Sequence, residues 1–182
     1  MFSYQIDDQV TLALPRPEND SQPLFELIDH SRKNLAAWLP WVPSIKTVED
    51  EESFLQSVLL HFAQAESLNT VIYYQNQPAG MISFNHFRRT DHSADIGYWL
   101  ADRFTGQNIM HRAVQGICQL GFADYQLNKI VINAAVENTR SNQVAKNSGF
   151  KLDGTLRANE LLLDGHFHDE NHWSLLQSEW QK

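Results

Sequence analysis

The 182 residues, 42% of them hydrophobic and 20% charged, suffice for one sizeable core and not for two, which predicts a single domain over residues 1–182. Fourteen Lys and Arg against 22 Asp and Glu leave a formal charge of -8, which excludes a nucleic-acid binder that relies on phosphate neutralisation; the single cysteine excludes an internal disulfide and a cysteine-built zinc site. No apolar run approaches the roughly 20 residues of a membrane span, and no charged-then-apolar leader opens the chain, so the expectation is a cytoplasmic protein with no membrane partner.

Val10, Leu12 and Leu14 alternate as a short strand does. Helical spacing follows over residues 23–39, opened by Pro23, and again after Thr47-Val48-Glu49-Asp50, a capping-box arrangement ahead of Phe54, Leu55, Val58, Leu59 and Phe62. Residues 70–74, a turn at Asn76-Gln77-Pro78, residues 81–84 and residues 94–100 carry the β-branched and aromatic content of a strand meander. From Gly106 to Tyr125 the period becomes helical, with Ile109, Ala113, Ile117 and Gly121 on one stripe and Met110, Val114 and Cys118 beside it. A strand over residues 130–136 precedes a short helix from about Thr139 that ends at Gly149, a C′ glycine, and two last strands join through a two-residue hairpin at Asp164-Gly165. The order β, α, α, β, β, β, α, β, α, β, β predicts an α/β fold on one mixed sheet.

In the segment from Arg103 to Met110 a strand, a tight turn at Gly106 and a helix N-terminus come in immediate succession. Unpaired amides and the positive end of a helix dipole suit a phosphate or pyrophosphate there without any lysine. An ordinary strand-to-helix turn explains the same residues, and neither the P-loop nor the three-glycine dinucleotide pattern is matched, so a phosphate-binding protein of another kind stays open on this loop alone.

Gly97-Tyr98-Trp99-Leu100, Arg103-x-x-Gly106-x-Asn108-Ile109-Met110, Val136-Glu137-Asn138-x-x-Ser141-Asn142-x-Val144-Ala145-x-x-x-Gly149-Phe150, Gly154 and Gly165-x-x-His168-Asp169 together resemble the GNAT acetyltransferase superfamily. Within it they look like the branch of ribosomal-protein-serine and ribosomal-protein-alanine N-acetyltransferases. The resemblance covers essentially the whole chain and is most specific between Ala94 and Phe150. It implies a mixed, mostly antiparallel twisted sheet of about seven strands flanked by about four helices. It also implies acetyl-CoA as cosubstrate, no metal, and direct attack by a primary amine in a ternary complex. The implied acceptor is the α-amino group of a protein or peptide N-terminus. The alternatives are a small amine such as a polyamine, amino acid or aminoglycoside, or a non-catalytic acyl-CoA-binding module; homo-oligomerisation is left open.

By the same resemblance, Arg103, Gly106, Gln107, Asn108, Ile109 and Met110 hold the cofactor pyrophosphate through the loop and its amides. Trp99 and Leu100 lie on the strand that pairs with pantetheine, and Asn138 contacts that arm. Asn108 departs from the family's Gly or Ala, although Asn enters left-handed backbone more readily than other non-glycine residues. Ser141 would lie near the sulfur and assist the departing thiolate. Glu160 would take a proton from the incoming ammonium through water, and the N–H of Leu100 or Trp99 would face the thioester oxygen. An α-amine, with a pKa of about 8 against about 10.4 for lysine, needs about 3 kcal/mol less to deprotonate, which suits so modest a base.

Each of these residues also has a plainer explanation. Helix capping accounts for Asn138 and Ser141, and edge guarding accounts for Glu160. Some relatives carry cysteine where this chain has Ala134, so that position receives no chemistry. His166, His168 and His172 with Glu170 would share one face of a regular strand and could ligate zinc or nickel, but in the family the His168-Asp169 pair is structural or cleft-lining. Cys118 reads as a buried hydrophobe. Trp38, Trp41 and Trp99 read as core, with the loop over residues 38–43 able to wall an acceptor cleft.

Overall fold

Local chemistry sets where the helices begin and end. Helix α1 (Pro17–Ala36) opens on a proline, whose fixed φ and missing N–H suit a first turn, and Asp20 in that turn accepts the Arg16 backbone N–H at 2.7 Å. It therefore starts at Pro17 and carries Pro23 inside it, where the sequence pattern had placed its first residue. In α2 (Val48–Ala63) the predicted capping box forms: Thr47 Oγ1 accepts the Asp50 N–H at 3.2 Å and the Asp50 carboxylate accepts the Thr47 N–H at 2.9 Å. Helix α3 (Ile109–Ala123) buries the predicted stripe, Cys118 included. Helix α4 (Thr139–Asn147) ends as expected at Gly149, φ 88°, with the Phe150 N–H on the Ala145 carbonyl at 3.1 Å and the Gly149 N–H on the Lys146 carbonyl at 3.2 Å.

The computed structural model describes residues 2–180; Met1, Gln181 and Lys182, the ends of the predicted domain, lie outside the described residues. Its strands are β1 (Ser3–Gln5), β2 (Val10–Ala13), β3 (Leu68–Tyr74), β4 (Gln77–Arg88), β5 (Ser93–Leu100), β6 (Lys129–Ala135), β7 (Lys151–Leu161) and β8 (Phe167–Leu176). They form one sheet in the order β1-β2-β3-β4-β5-β6-β8-β7, in which only β5 and β6 run parallel. The mixed, mostly antiparallel sheet with four helices is the one expected, with eight strands in place of about seven. The added strand, β1, is a three-residue stretch paired with β2, too short to display a period.

Two turns differ from expectation. The β3–β4 reversal uses Gln75 and Asn76, both left-handed at φ 49° and 64°, one residue ahead of the predicted turn, and Pro78 lies inside β4 opposite Tyr73 beside a bulge. Strands β7 and β8 are joined by residues 162–166, where Leu162 and His166 still bond across the loop and Gly165 takes φ 81°, so the link is longer than a two-residue hairpin.

The side-chain alternation of the central strands assigns the helices to faces. Tyr73, whose hydroxyl donates to the buried Asp20 of α1 at 2.5 Å, shares its face with Asn69, Met81, Ser83 and Trp99; α1 and α2 cover it. The opposite face carries Phe84, which packs against Gly121 of α3, and Tyr98, which bonds to α4. Among the described residues no helix is long and apolar enough to cross a membrane.

Candidate active site

The parallel pair at the centre of the sheet is incomplete. Strands β5 and β6 are in register from Ser93↔Lys129 to Ile96↔Ile132 and then part, although β5 runs on to Leu100 and β6 to Ala135. A cleft of about 720 Å³ fills the gap, reaching from the start of α3, past α4 and Ala134, to Glu160 on β7. Backbone groups that a neighbouring strand would have occupied therefore face open space. The Ala101 N–H bonds to the Ala79 carbonyl of β4 at 3.0 Å, and amides alternate along a strand, so the Leu100 N–H points into the cleft while that of Trp99 points toward β4. Of the two amides that the sequence offered for an oxyanion, the parity selects Leu100.

At the other end of the cleft the predicted anion loop is built by backbone. Ser31 of α1 accepts the Asp102 N–H at 3.0 Å and Asn34 donates to the Asp102 carboxylate at 2.7 Å, which pins the turn ahead of the loop. Gly106 takes φ 77°, and Asn108, the N-cap of α3, takes φ 59°, ψ 17° with no capping bond from its side chain. The left-handed geometry that Gly would adopt without penalty is thus reached by Asn, and the first amides of α3 stay free for an anion. Leu100, Gly106, Asn108, Ile109 and Met110 line the cleft, as do Asn138, Ser141 and Glu160. Three predicted residues turn their side chains elsewhere: Gln107 bonds back to the Arg103 carbonyl at 3.0 Å, Arg103 stacks on Phe104 at 4.7 Å, and Trp99 faces the α1–α2 side, 6.3 Å from Trp41.

Helix α4 starts at the edge of the cleft. Asn138 caps it by accepting the Ser141 N–H at 3.2 Å, which leaves the Ser141 hydroxyl free for another partner. That partner is the Tyr98 hydroxyl on β5, at 2.9 Å. Burial pushes the Tyr98 phenol up to about 12, against the pull of Ser141, so it remains a protonated hydroxyl at neutral pH. In the sequence Tyr98 is legible only as part of a strand; 43 positions from Ser141, it carries no local signal of the pairing. Asn142 locks the helix in place, donating to the Ala135 carbonyl at 2.8 Å while its carbonyl accepts from Asn171 and Trp173 of β8, each at 2.8 Å.

Glu160 pairs with His168 across the β7–β8 ladder just past a bulge, and its carboxyl borders the cleft. Partial burial raises its pKa above the ordinary 4.5; Glu170 adds to the rise and His168 opposes it. His168 is itself held by Asp164 at 2.9 Å and by Glu137 at 3.3 Å, and these partners raise its pKa. The histidine ligand set considered from sequence does not assemble: His166 lies in the loop ahead of β8, and both ring nitrogens of His168 are engaged by Glu137 and Asp164. Among the described residues no three His, Cys, Asp or Glu side chains are grouped to hold a metal ion.

The profile of the acetyltransferase (GNAT) domain matches residues 9–151 of this chain. The ribosomal-protein-serine acetyltransferase of Escherichia coli (strain K12) is 32% identical over 149 residues, 82% of this chain and 83% of that protein. The crystal structure of the microcin C7 self-immunity acetyltransferase MccE, in complex with acetyl-CoA and AMP, superposes with a TM-score of 0.89 at 29% identity, covering 94% of each chain. RimL, the ribosomal L7/L12 alpha-N-protein acetyltransferase, in complex with coenzyme A, does so at 0.91 and 26% identity over 96% of this chain and 97% of that one.

Proposed function

The chain belongs to the GNAT acetyltransferase family, and from that membership we propose that it acetylates the α-amino group of a protein or peptide N-terminus at the cleft between β5 and β6. It is an acetyl-CoA-dependent N-acetyltransferase, and the relative from Escherichia coli is by name a ribosomal-protein-serine acetyltransferase. The observation that carries the site is the early end of the β5–β6 ladder, which opens the cleft between an uncapped helix N-terminus and Glu160.

Acetyl-CoA supplies a thioester, whose carbonyl carbon is the electrophile. The amides at the start of α3, from Asn108 to Met110, suit its pyrophosphate, and the unpaired edge of β5 at Tyr98 and Leu100 suits the amide-bearing pantetheine arm. Glu160 takes the proton of the acceptor ammonium, since only the neutral amine attacks. The Leu100 N–H carries the charge that develops on the thioester oxygen. Ser141, hydrogen-bonded to Tyr98, donates to the departing sulfur. Residues 1–182 act as one domain in this reading, in the cytoplasm that holds both acetyl-CoA and ribosomal proteins.

The test is intact-mass analysis after incubation with acetyl-CoA and a panel of peptides beginning with Ser, Ala or Met, together with free lysine, spermidine and an aminoglycoside. Gain of one acetyl group on a peptide α-amine is the expected result. Acetylation confined to the small amines overturns the N-terminal reading, and thermal stabilisation by acetyl-CoA with no product anywhere points to an acyl-CoA-binding module.

A further inference from the structure

Strand β5 has a second cavity on its other face, about 410 Å³, beneath α2 and the loop joining α1 to α2. It meets the active-site cleft along Leu39, Gly97 and Tyr98, which line both. At Gly97 the strand has no side chain to fill this space, and a Cβ there would come within 2.8 Å of Asn85.

Glu51, in the first turn of α2, lines this cavity while being 1% exposed. Its Oε1 has no hydrogen-bond partner among the described residues. The other polar groups near it are engaged: Asn69 donates to Ser67, Ser83 to Asn85, and Asn85 to Asp95. Among the described residues no Lys, Arg or His lines the cavity, and Tyr98, which borders it, turns its hydroxyl to Ser141 of α4 on the other face. The remaining walls are apolar or aromatic, among them Trp41, Phe54 and Trp99. A buried carboxyl without a partner is costly, and among the described residues no side chain pairs with it, so its natural complement comes from outside. Aromatic faces around a carboxylate select a cation over a neutral donor, because ring quadrupole and charge act in the same direction.

We propose that this second cavity is an acceptor subsite in which Glu51 receives a positively charged group, an ammonium or guanidinium, that the acceptor carries close to the amine being acetylated. The inference rests on the acetyl-transfer reading and narrows it: the acceptor bears two cationic groups within a few bonds, as a peptide with Lys or Arg at its first or second residue does.

The decisive measurement compares peptides that differ only by Lys or norleucine at the first or second residue, with α-amine acetylation located by fragmentation. At one of these positions Lys is expected to win by about tenfold or more in kcat/KM, and Glu51→Gln to bring the ratio within about twofold, with Glu51→Asp retaining part of it. Calorimetric binding of acetyl-CoA checks that each variant is folded. Equal rates in the wild type, or the same preference in Glu51→Gln, overturn the proposal. Should no peptide be acetylated, the N-terminal reading fails and the cavity is still decided by binding. Titration of the CoA-bound protein with lysinamide and norleucinamide supports the subsite if lysinamide binds tighter and Glu51→Gln abolishes the difference, and overturns it if the two bind alike.

Discussion

The two cavities that β5 separates are built of opposite materials. Toward α3 and α4 the working groups are largely main chain: the free edge of β5, the amides that follow Gly106 and the uncapped start of α3. Toward α1 and α2 they are side chains brought together from α2, β3, β4 and the loop between α1 and α2. Backbone recognition suits a donor that is always the same molecule, because amides bind phosphate and pantetheine groups whatever side chains surround them. Side-chain recognition suits an acceptor, whose identity has to be selected. The difference is also energetic: the donor side leaves neutral dipoles unpaired next to solvent, whereas the acceptor side keeps a carboxyl unpaired in the interior.

The largest expected effect tests that energetic contrast. Burial pushes the Glu51 carboxyl up from 4.5 to about 7. Below about pH 4.5 it is protonated in folded and unfolded chains alike and adds no ionisation cost; between 4.5 and about 7 the unfolded chain ionises first, so stability falls as pH rises, by about 3 kcal/mol in all. Glu51→Gln cannot titrate and should lack this fall. Urea denaturation of both proteins at pH 5 and pH 8 reads the difference, and parallel pH dependences would mean that Glu51 is not a lone buried carboxyl.

Next in size is the acid–base step on the cleft side. As a base Glu160 must be ionised, and burial with Glu170 holds its pKa above 4.5, so activity should rise with pH as the carboxyl gives up its proton. Glu160→Gln should lose that rising limb and about 100-fold in kcat at neutral pH, the deficit shrinking toward the α-amine pKa of about 8, where the acceptor deprotonates unaided. A pH–rate profile that keeps its shape in the variant would remove Glu160 from the role.

How much of each cavity the sequence displays follows from the same contrast. The donor side lies in two compact stretches, Gly97 to Met110 and Val136 to Phe150, where each element is followed at once by the turn or cap that shapes it; its loop, its capping Asn138 and its closing Gly149 are legible because their causes are a few residues apart. Tyr98 and Ser141 were each visible and their hydrogen bond was not, since the parting of β5 from β6 is what lets them meet. Glu51 was hidden more thoroughly. It stands among Glu49, Asp50 and Glu52 in what looks like a solvated acidic first turn, and only the docking of α2 on α1 and β3 turns this one carboxyl inward. Turn positions failed for local reasons: Gln75 accepts a left-handed φ that its residue type does not advertise.

The smallest effect probes the donor side where it departs most from its family. Asn108 holds φ 59° without a side-chain capping bond, so its contribution to the loop is the backbone conformation alone. Glycine adopts that conformation with no Cβ penalty. Asn108→Gly should therefore leave acetyl-CoA affinity unchanged or tighten it by up to about threefold, a gain of about 0.6 kcal/mol from the relieved strain. Calorimetric titration with CoA measures it. A loss of affinity would mean that the Asn side chain itself touches the cofactor, and the donor cavity would then depend, as the acceptor cavity does, on which side chain the chain supplies.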